Sequence, residues 1–330
     1  METLPDLGCI AIGRNEGQRL IRCLESLRAA SAHVVYVDSG STDGSVEAAK
    51  ARGVEVVDLD TSIPFTAARA RNEGFARLMM VAPELRYVQF VDGDCEVVEG
   101  WLSRARGVLE SRPELAVVCG RRRERHPEQS VWNAIIDVEW DTPVGEAKAC
   151  GGDAMMRVEA FAEVEGFDSS LIAGEEPELC VRLRARGWKI ERLDLEMTLH
   201  DAAMSRVSQW WKRSVRAGHA FAEGAAMHGG SSERHWVRET RRIWLWGGVV
   251  PAVATLGAIP TGGASLALLG GYPVSAYRAY RSIRARGREP RESAAYAVAV
   301  TVGKFAEGVS VWIAVNDSRP MNWPNWSCRG

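Results

Sequence analysis

Two apolar runs, each ending in an aspartate, do most to limit what this chain can fold into. Val34-Val35-Tyr36-Val37-Asp38 leads into Ser39-Gly40-Ser41-Thr42-Asp43-Gly44-Ser45, and Val88-Gln89-Phe90-Val91-Asp92 leads into Gly93-Asp94. Short β-branched runs bounded by turn residues read as buried strands. Between such runs lie stretches of helical periodicity, as where Leu20, Ile21, Leu24 and Leu27 share one face. The pattern predicts strands at 9–13, 33–40, 54–60, 87–94 and 115–119, with helices at 18–30, from 45, at 65–80 and at 99–111. Strands alternating with helices specify an α/β fold, a mostly parallel sheet flanked by helices. In open sheets of this kind ligands sit outside the carboxyl ends of the strands, where two of these strands deliver aspartates.

Composition narrows the function. Forty-one Lys and Arg stand against 43 Asp and Glu, so the basic surplus that nucleic-acid binding needs is missing. The seven cysteines (Cys9, Cys23, Cys95, Cys119, Cys150, Cys180 and Cys328) form no CxxC pair and read as buried free thiols of a reducing compartment. The first residues lack a basic start followed by a long apolar run, so a cytosolic first domain without a signal peptide is expected.

Asp92-Gly93-Asp94 is the best candidate for a cation. Mg²⁺ and Mn²⁺ favour oxygen ligands, and the glycine permits close backbone approach; an ordinary β-turn with exposed acids is the plainer alternative. The Asp38–Ser45 turn can present hydroxyls and amides to a base, ribose or phosphate, while Asp43 or Ser45 can equally cap the next helix. No GxxxxGK[ST] is present, and no GxGxxG follows the first strand, which counts against P-loop and dinucleotide-binding readings.

In order along the chain, CIAIGRNEG, VDSGSTDGS, ARARNEGF, FVDGD and GEEPELCVRL resemble the motifs of the family 2 glycosyltransferases, over roughly residues 8 to 200. The resemblance implies a GT-A fold and inverting transfer of a sugar from a nucleotide-diphosphate-sugar donor. It implies a divalent metal (Mn²⁺ or Mg²⁺) held by Asp94 and Asp92, with His200 as a further ligand; a lone histidine is also an ordinary structural residue. Glu16, Asp38, Arg71, Asp92 and Asp94 would bind the nucleotide sugar, although Arg71 could be a surface helix arginine. Gly152 and Asp153 would lie under the sugar and acceptor, with Trp210 a further sugar contact or a core residue. The family's usual Glu-Asp pair is Glu175-Glu176 here, so Glu176 takes the base position with one more methylene. Its carboxylate, of ordinary pKa about 4, is ionised at neutral pH and can accept the acceptor's proton. Pro177 and the apolar positions after it place the pair at a helix N-terminus, where the dipole favours the ionised form.

The remainder is helical and apolar. Residues 243–277 hold no Asp, Glu, Lys or Arg, and arginines flank them on both sides. Pro260-Thr261-Gly262-Gly263 predicts a turn between two short arms, which favours a re-entrant or interfacial hairpin over a single crossing. A second apolar segment, 294–315, contains Lys304 and Glu307, which are expensive in lipid. A soluble helical bundle that forms a homo-oligomer interface is the competing account. The expected domains are a GT-A domain at 1–205, connecting helices at 206–242 and a hydrophobic tail at 243–330. The expected enzyme is a hexosyl- or N-acetylhexosaminyl-transferase acting on a glycan or lipid-linked acceptor at the cytoplasmic face of a membrane. A catalytically silent glycan-binding scaffold and a sugar nucleotidyltransferase are the alternatives.

Overall fold

The computed structural model describes residues 3–316, with side chains described through 311. They form two compact units: one combines the residues up to Arg125 with Glu139–Ala202, the other combines His126–Val138 with the described residues from Ala203 onward. Cys328 and the end of the expected tail lie outside the described residues. The other six cysteines are buried free thiols.

The first unit carries a nine-stranded mixed sheet. Its strands are β1 (Leu7–Gly13), β2 (His33–Asp38), β3 (Glu55–Asp58), β4 (Tyr87–Asp92), β5 (Cys95–Val97), β6 (Leu115–Glu124), β7 (Gly145–Glu146), β8 (Ala154–Arg157) and β9 (Lys189–His200). The order is β3-β2-β1-β4-β8-β6-β9-β5, with β7 paired to β9. β3, β2, β1 and β4 are mutually parallel, whereas β8 runs antiparallel to both β4 and β6. Six helices belong wholly to this unit's sequence: α1 (Gln18–Arg28), α2 (Ser45–Ala51), α3 (Ala67–Val81), α4 (Trp101–Ser111), α6 (Val158–Glu163) and α7 (Glu175–Ala185). The central strands are near-continuous apolar runs because a parallel sheet is covered on both faces, and β1 from Leu7 to Ile12 is buried throughout. Leu20, Leu24, Leu27 and Leu78 from the helices complete the core.

In the second unit, α8 (Val207–His228), α9 (Val237–Trp244), α10 (Val250–Leu256), α11 (Gly271–Arg284) and α12 (Pro290–Asn316) follow one another. The helix α5 (Val131–Glu139) lies earlier in the chain, and its residues through Val138 cluster with this unit. The expected continuous 1–205 domain is therefore interrupted, for an apolar reason. Ile135 is buried in a cluster with Trp210 and Ala299, and Trp132 stacks on Trp210 at 5.1 Å. A turn occupies 257–263, with Gly262 and Gly263 at φ 57° and 91°, as Pro260-Thr261-Gly262-Gly263 predicts. Leu256 and Ile259 at this tip are 80% and 94% exposed. Among the described residues one helical stretch, Pro290–Val311, is long and apolar enough to cross a membrane, and it contains the ion pair Lys304–Glu307 at 2.6 Å.

Candidate active site

The register of the parallel strands brings the acids to one edge. Gly13 lies beside Asp38 and Ile12 beside Asp92, so β1, β2 and β4 end at a common level. Gly93 then passes close to β1: a Cβ there would sit 3.0 Å from the Ile12 carbonyl oxygen. That approach needs glycine in Asp-Gly-Asp.

Asp38 is buried and organises the turn that follows it. Tyr36 Oη donates to its Oδ1 at 2.7 Å, and the amides of Gly40 and Ser41 donate to Oδ2 at 2.9 and 2.7 Å. The loop after β1 clasps the same turn. The Asn15 amide donates to Ser41 Oγ at 2.9 Å, and the Thr42 amide donates to Asn15 Oδ1 at 2.7 Å. Glu16, on this loop, is ion-paired with Arg19.

The deeper part of the edge is a continuous chain of alternating charge. Asp94 Oδ1 lies 3.9 Å from Arg122 Nη2, and Arg122 Nη1 lies 3.2 Å from Asp92 Oδ2. Asp92 Oδ1 accepts from Arg71 Nη2 at 2.7 Å, and Arg71 Nη1 donates to Glu175 at 2.8 Å. Four separate elements, β4 with its following turn, β6, α3 and α7, thus meet side chain to side chain. Arg71 is 3% exposed, which excludes a surface role. Burial disfavours its charge, but Asp92 and Glu175 outweigh that cost and hold the guanidinium firmly protonated. Burial likewise opposes ionisation of Asp92, and Arg71 and Arg122 reverse the balance, so its pKa falls below the usual carboxylate value.

His200 ends β9 opposite Asp94. Its Nε2 is 3.2 Å from Asp94 Oδ2, and its Nδ1 is 3.0 Å from Glu124 Oε2. Trp140 packs edge-on against the imidazole at 4.4 Å, and its ring also lies under the Arg122 guanidinium at 4.4 Å. Burial would lower the His200 pKa, but Asp94 and Glu124 raise it above the ordinary histidine value. The ligand atoms of Asp94, Cys95 and His200 lie within 4.8 Å of one another; the carboxylate and the imidazole nitrogen, with the other ring nitrogen oriented by a carboxylate, fit a divalent cation. Asp92, expected as a second ligand, is instead held by two guanidinium groups.

Gly152 and Asp153 support this chain from the segment leading into β8. A Cβ at Gly152 would lie 2.8 Å from Arg71 Nη2 and 3.0 Å from Asp92 Oδ2, so only glycine leaves the pair undisturbed. Asp153, expected to meet a sugar hydroxyl, is fully buried and spends both oxygens on the protein. Oδ1 accepts from the Asp92 amide at 2.9 Å and Oδ2 from Thr198 Oγ1 at 2.8 Å. It positions Asp92.

Helix α7 begins at Glu175 behind Gly174, whose φ is 82°. Glu176 lies in the first turn of the helix and is buried. Its Oε1 accepts a short hydrogen bond from the Cys150 amide and lies 3.2 Å from Cys180 Sγ.

Residues 10–164 match the model of glycosyl transferase family 2. The chain carries a family 2 glycosyltransferase domain. The succinoglycan biosynthesis protein ExoA of Rhizobium meliloti (strain 1021) is 26% identical over 211 residues, which span 60% of this chain and 64% of that relative's length. The mannosyltransferase PcManGT from Pyrobaculum calidifontis, solved in complex with GDP-Man and Mn²⁺, matches at TM-score 0.59 and 17% identity. The match covers 93% of this chain and 87% of that one, and shows a shared fold.

Within the glycosyltransferase fold the structure brings together Arg71, Asp92, Asp94, Gly152, Asp153, Glu175 and His200 through the contacts above. Glu16 and Asp38 lie at the same strand edge, on the clasped loops. Trp210 is a correction. It is 4% exposed in the apolar cluster of the second unit, a packing residue with no face for a sugar. Sequence reasoning missed Arg122 and Glu124, because the fifth predicted strand stops at Cys119 whereas β6 runs on to Glu124, and it missed Trp140, which directly follows α5. The available signal was strand alternation, which places Arg122 and Glu124 on one face of the Arg-Arg-Arg-Glu run.

Proposed function

We propose that this chain transfers a sugar from a nucleotide-diphosphate-sugar donor to a hydroxyl of a glycan or lipid-linked acceptor, with inversion at the anomeric carbon. The observation that carries this reading is the ion chain running from Asp94 to Glu175 at the carboxyl edge of a GT-A sheet. The clasped loops at Asn15 and Ser41 would form the cradle for base and ribose, with Asp38 fixing the turn from beneath. Asp94 and His200 would hold a divalent cation, which as a Lewis acid spreads the charge that develops on the departing diphosphate. Arg122 and Arg71 bring two further positive charges beside that site, and their ion pairs with Asp92 fix them in place before substrate arrives. Glu176 takes the acceptor's proton. Cys150 and Cys180 anchor its Oε1, so Oε2 is the atom that receives it. The succinoglycan biosynthesis named for the ExoA relative supports a glycan as the acceptor class.

The second unit is read as a membrane-surface element that sets the catalytic domain on the cytoplasmic face. Exposed Leu256 and Ile259 at the hairpin tip, and the flanking arginines, support interfacial insertion of the turn. Arg288 is not one of the membrane-facing charges, since it is paired with Asp137 at 2.7 Å.

Glu176→Gln tests the catalytic assignment. It should spare donor binding, measured calorimetrically, while lowering the transfer rate about 10²–10⁴-fold, the usual worth of a general base. Unchanged turnover removes Glu176 as the base. The burial of Glu176 favours one other reading, a sugar-nucleotide-binding scaffold, for which wild-type protein would bind donor with neither hydrolysis nor transfer.

A further inference from the structure

We propose that Cys150, Glu176 and Cys180 form a site for one soft transition-metal cation of the zinc class. Its occupation would remove the carboxylate assigned above to proton abstraction. The three side chains converge from two elements. Cys150 precedes Gly151, whose φ is 80°, and Glu176 and Cys180 are one turn apart on α7. All three are buried, and their ligand atoms lie within 4.8 Å of one another.

The spacing matches a coordination polyhedron. Zn–S bonds of about 2.3 Å at the tetrahedral angle place two sulfurs about 3.8 Å apart. Cys150 Sγ and Cys180 Sγ are 3.8 Å apart. A Zn–O bond of about 2.0 Å puts a carboxylate oxygen about 3.5 Å from each sulfur, and Glu176 Oε1 is 3.2 Å from Cys180 Sγ. A disulfide would require the sulfurs to close to about 2.05 Å and an oxidant to reach them. The cation requires neither. On binding, two S–H bonds break, two metal–sulfur bonds and one metal–oxygen bond form, two protons pass to solvent, and no oxidation state changes. Water completes the fourth position. Burial holds the Cys150 thiol well above its ordinary pKa, so it stays protonated and unreactive until a cation displaces the proton.

Ligand softness separates this site from the one at Asp94 and His200. Two thiols and one carboxylate favour a zinc-like ion more strongly than the Asp94, Cys95 and His200 group, where a single thiol stands beside a carboxylate and an imidazole. Zinc bound through Oε1 would draw charge from the Glu176 carboxylate, lower the basicity of Oε2 and stop transfer while leaving the donor's cation in place. That consequence rests on the base assignment; the site itself does not.

Titrating the reduced, metal-stripped full-length protein with Co²⁺ tests the proposal. A near-ultraviolet thiolate-to-cobalt charge-transfer band should saturate at one equivalent, vanish on adding Zn²⁺, and be lost in Cys150→Ser and in Cys180→Ser. X-ray absorption of the zinc form should show two sulfur neighbours at about 2.3 Å, a readout that needs no variant to fold. Zinc should abolish transfer assayed with Mn²⁺, and whatever transfer remains in Cys150→Ser should be insensitive to zinc. Absence of the band in wild type, or its persistence in the double Cys→Ser variant, overturns the site. A band together with zinc-insensitive transfer upholds the site and overturns the base assignment.

Discussion

Arg71→Met is the sharpest structural perturbation of the cluster, because it removes one buried charge from between two opposite ones. The Arg71 guanidinium is 3% exposed and lies 2.7 Å from Asp92 and 2.8 Å from Glu175. Breaking a buried ion pair by deleting one partner costs about 3–5 kcal/mol, since the other charge is stranded. Arg122 still reaches Asp92 at 3.2 Å, and Glu175 is at a helix N-terminus that tolerates a negative charge. The lower end, about 3 kcal/mol, is therefore expected. At about 2–4 °C per kcal/mol for a unit of this size, the unfolding transition of the first unit should fall by about 6–12 °C. Thermal unfolding of the full-length protein, followed by circular dichroism at neutral pH, reads this directly. The gap between wild type and variant should narrow in acid. Asp92 has a lowered folded-state pKa, so its contribution is complete above the unfolded carboxylate range and disappears as pH drops through the folded value. Arg71→Lys should recover only part of the loss, because an ammonium cannot bridge two carboxylates as a planar fork does. A loss below about 1 kcal/mol, the range of exposed pairs, would refute the claim that this pair is buried and structural.

Other outcomes follow from the same geometry. Gly152→Ala should cost about 1–3 kcal/mol, the usual penalty of overpacking, and weaken donor binding measured by calorimetry, because its Cβ would press on Arg71 and Asp92. Mn²⁺ affinity, followed by electron paramagnetic resonance over about pH 6 to 9, should rise with pH through the raised His200 pKa, since the cation needs the neutral imidazole. The charged imidazole works the opposite way in the metal-free protein. Its stabilisation is complete below the unfolded histidine pKa and is lost as pH rises through the higher folded value. Glu124→Gln should reduce Mn²⁺ affinity about 10–100-fold by loosening the ring orientation.

Much of the fold was legible because local and global signals agree. β1, β2 and β4 read as near-continuous apolar runs, broken in β4 by Gln89, and their terminal Gly13, Asp38 and Asp92 mark the edge where the loops assemble. The periodicity of Leu20, Leu24 and Leu27 placed α1 without any tertiary information. Partners were less legible than positions. Asp153 looks like a turn residue in sequence, and only the β4–β8 pairing shows it hydrogen-bonding the Asp92 amide from beneath. Arg122 lay beyond a predicted strand end, since charged residues at a carboxyl edge look like a loop until a partner strand extends alongside them. Trp210 misled for a related reason. An indole among basic residues suggests a sugar platform, but Trp132 from a distant segment covers it. The Cys150–Cys180 approach has no sequence signature, because the thirty-residue spacing becomes a contact only when α7 docks on the strand side.

Donor binding by titration calorimetry, with a nucleotide-diphosphate sugar in the presence and absence of Mn²⁺, bears most directly on the idea that acids from separate strands build one cation-assisted site. Wild-type protein should bind the donor strongly only with Mn²⁺, and Asp94→Ala should lose that dependence together with most of the affinity. Equal binding with and without the cation, unchanged in Asp94→Ala, would contradict it.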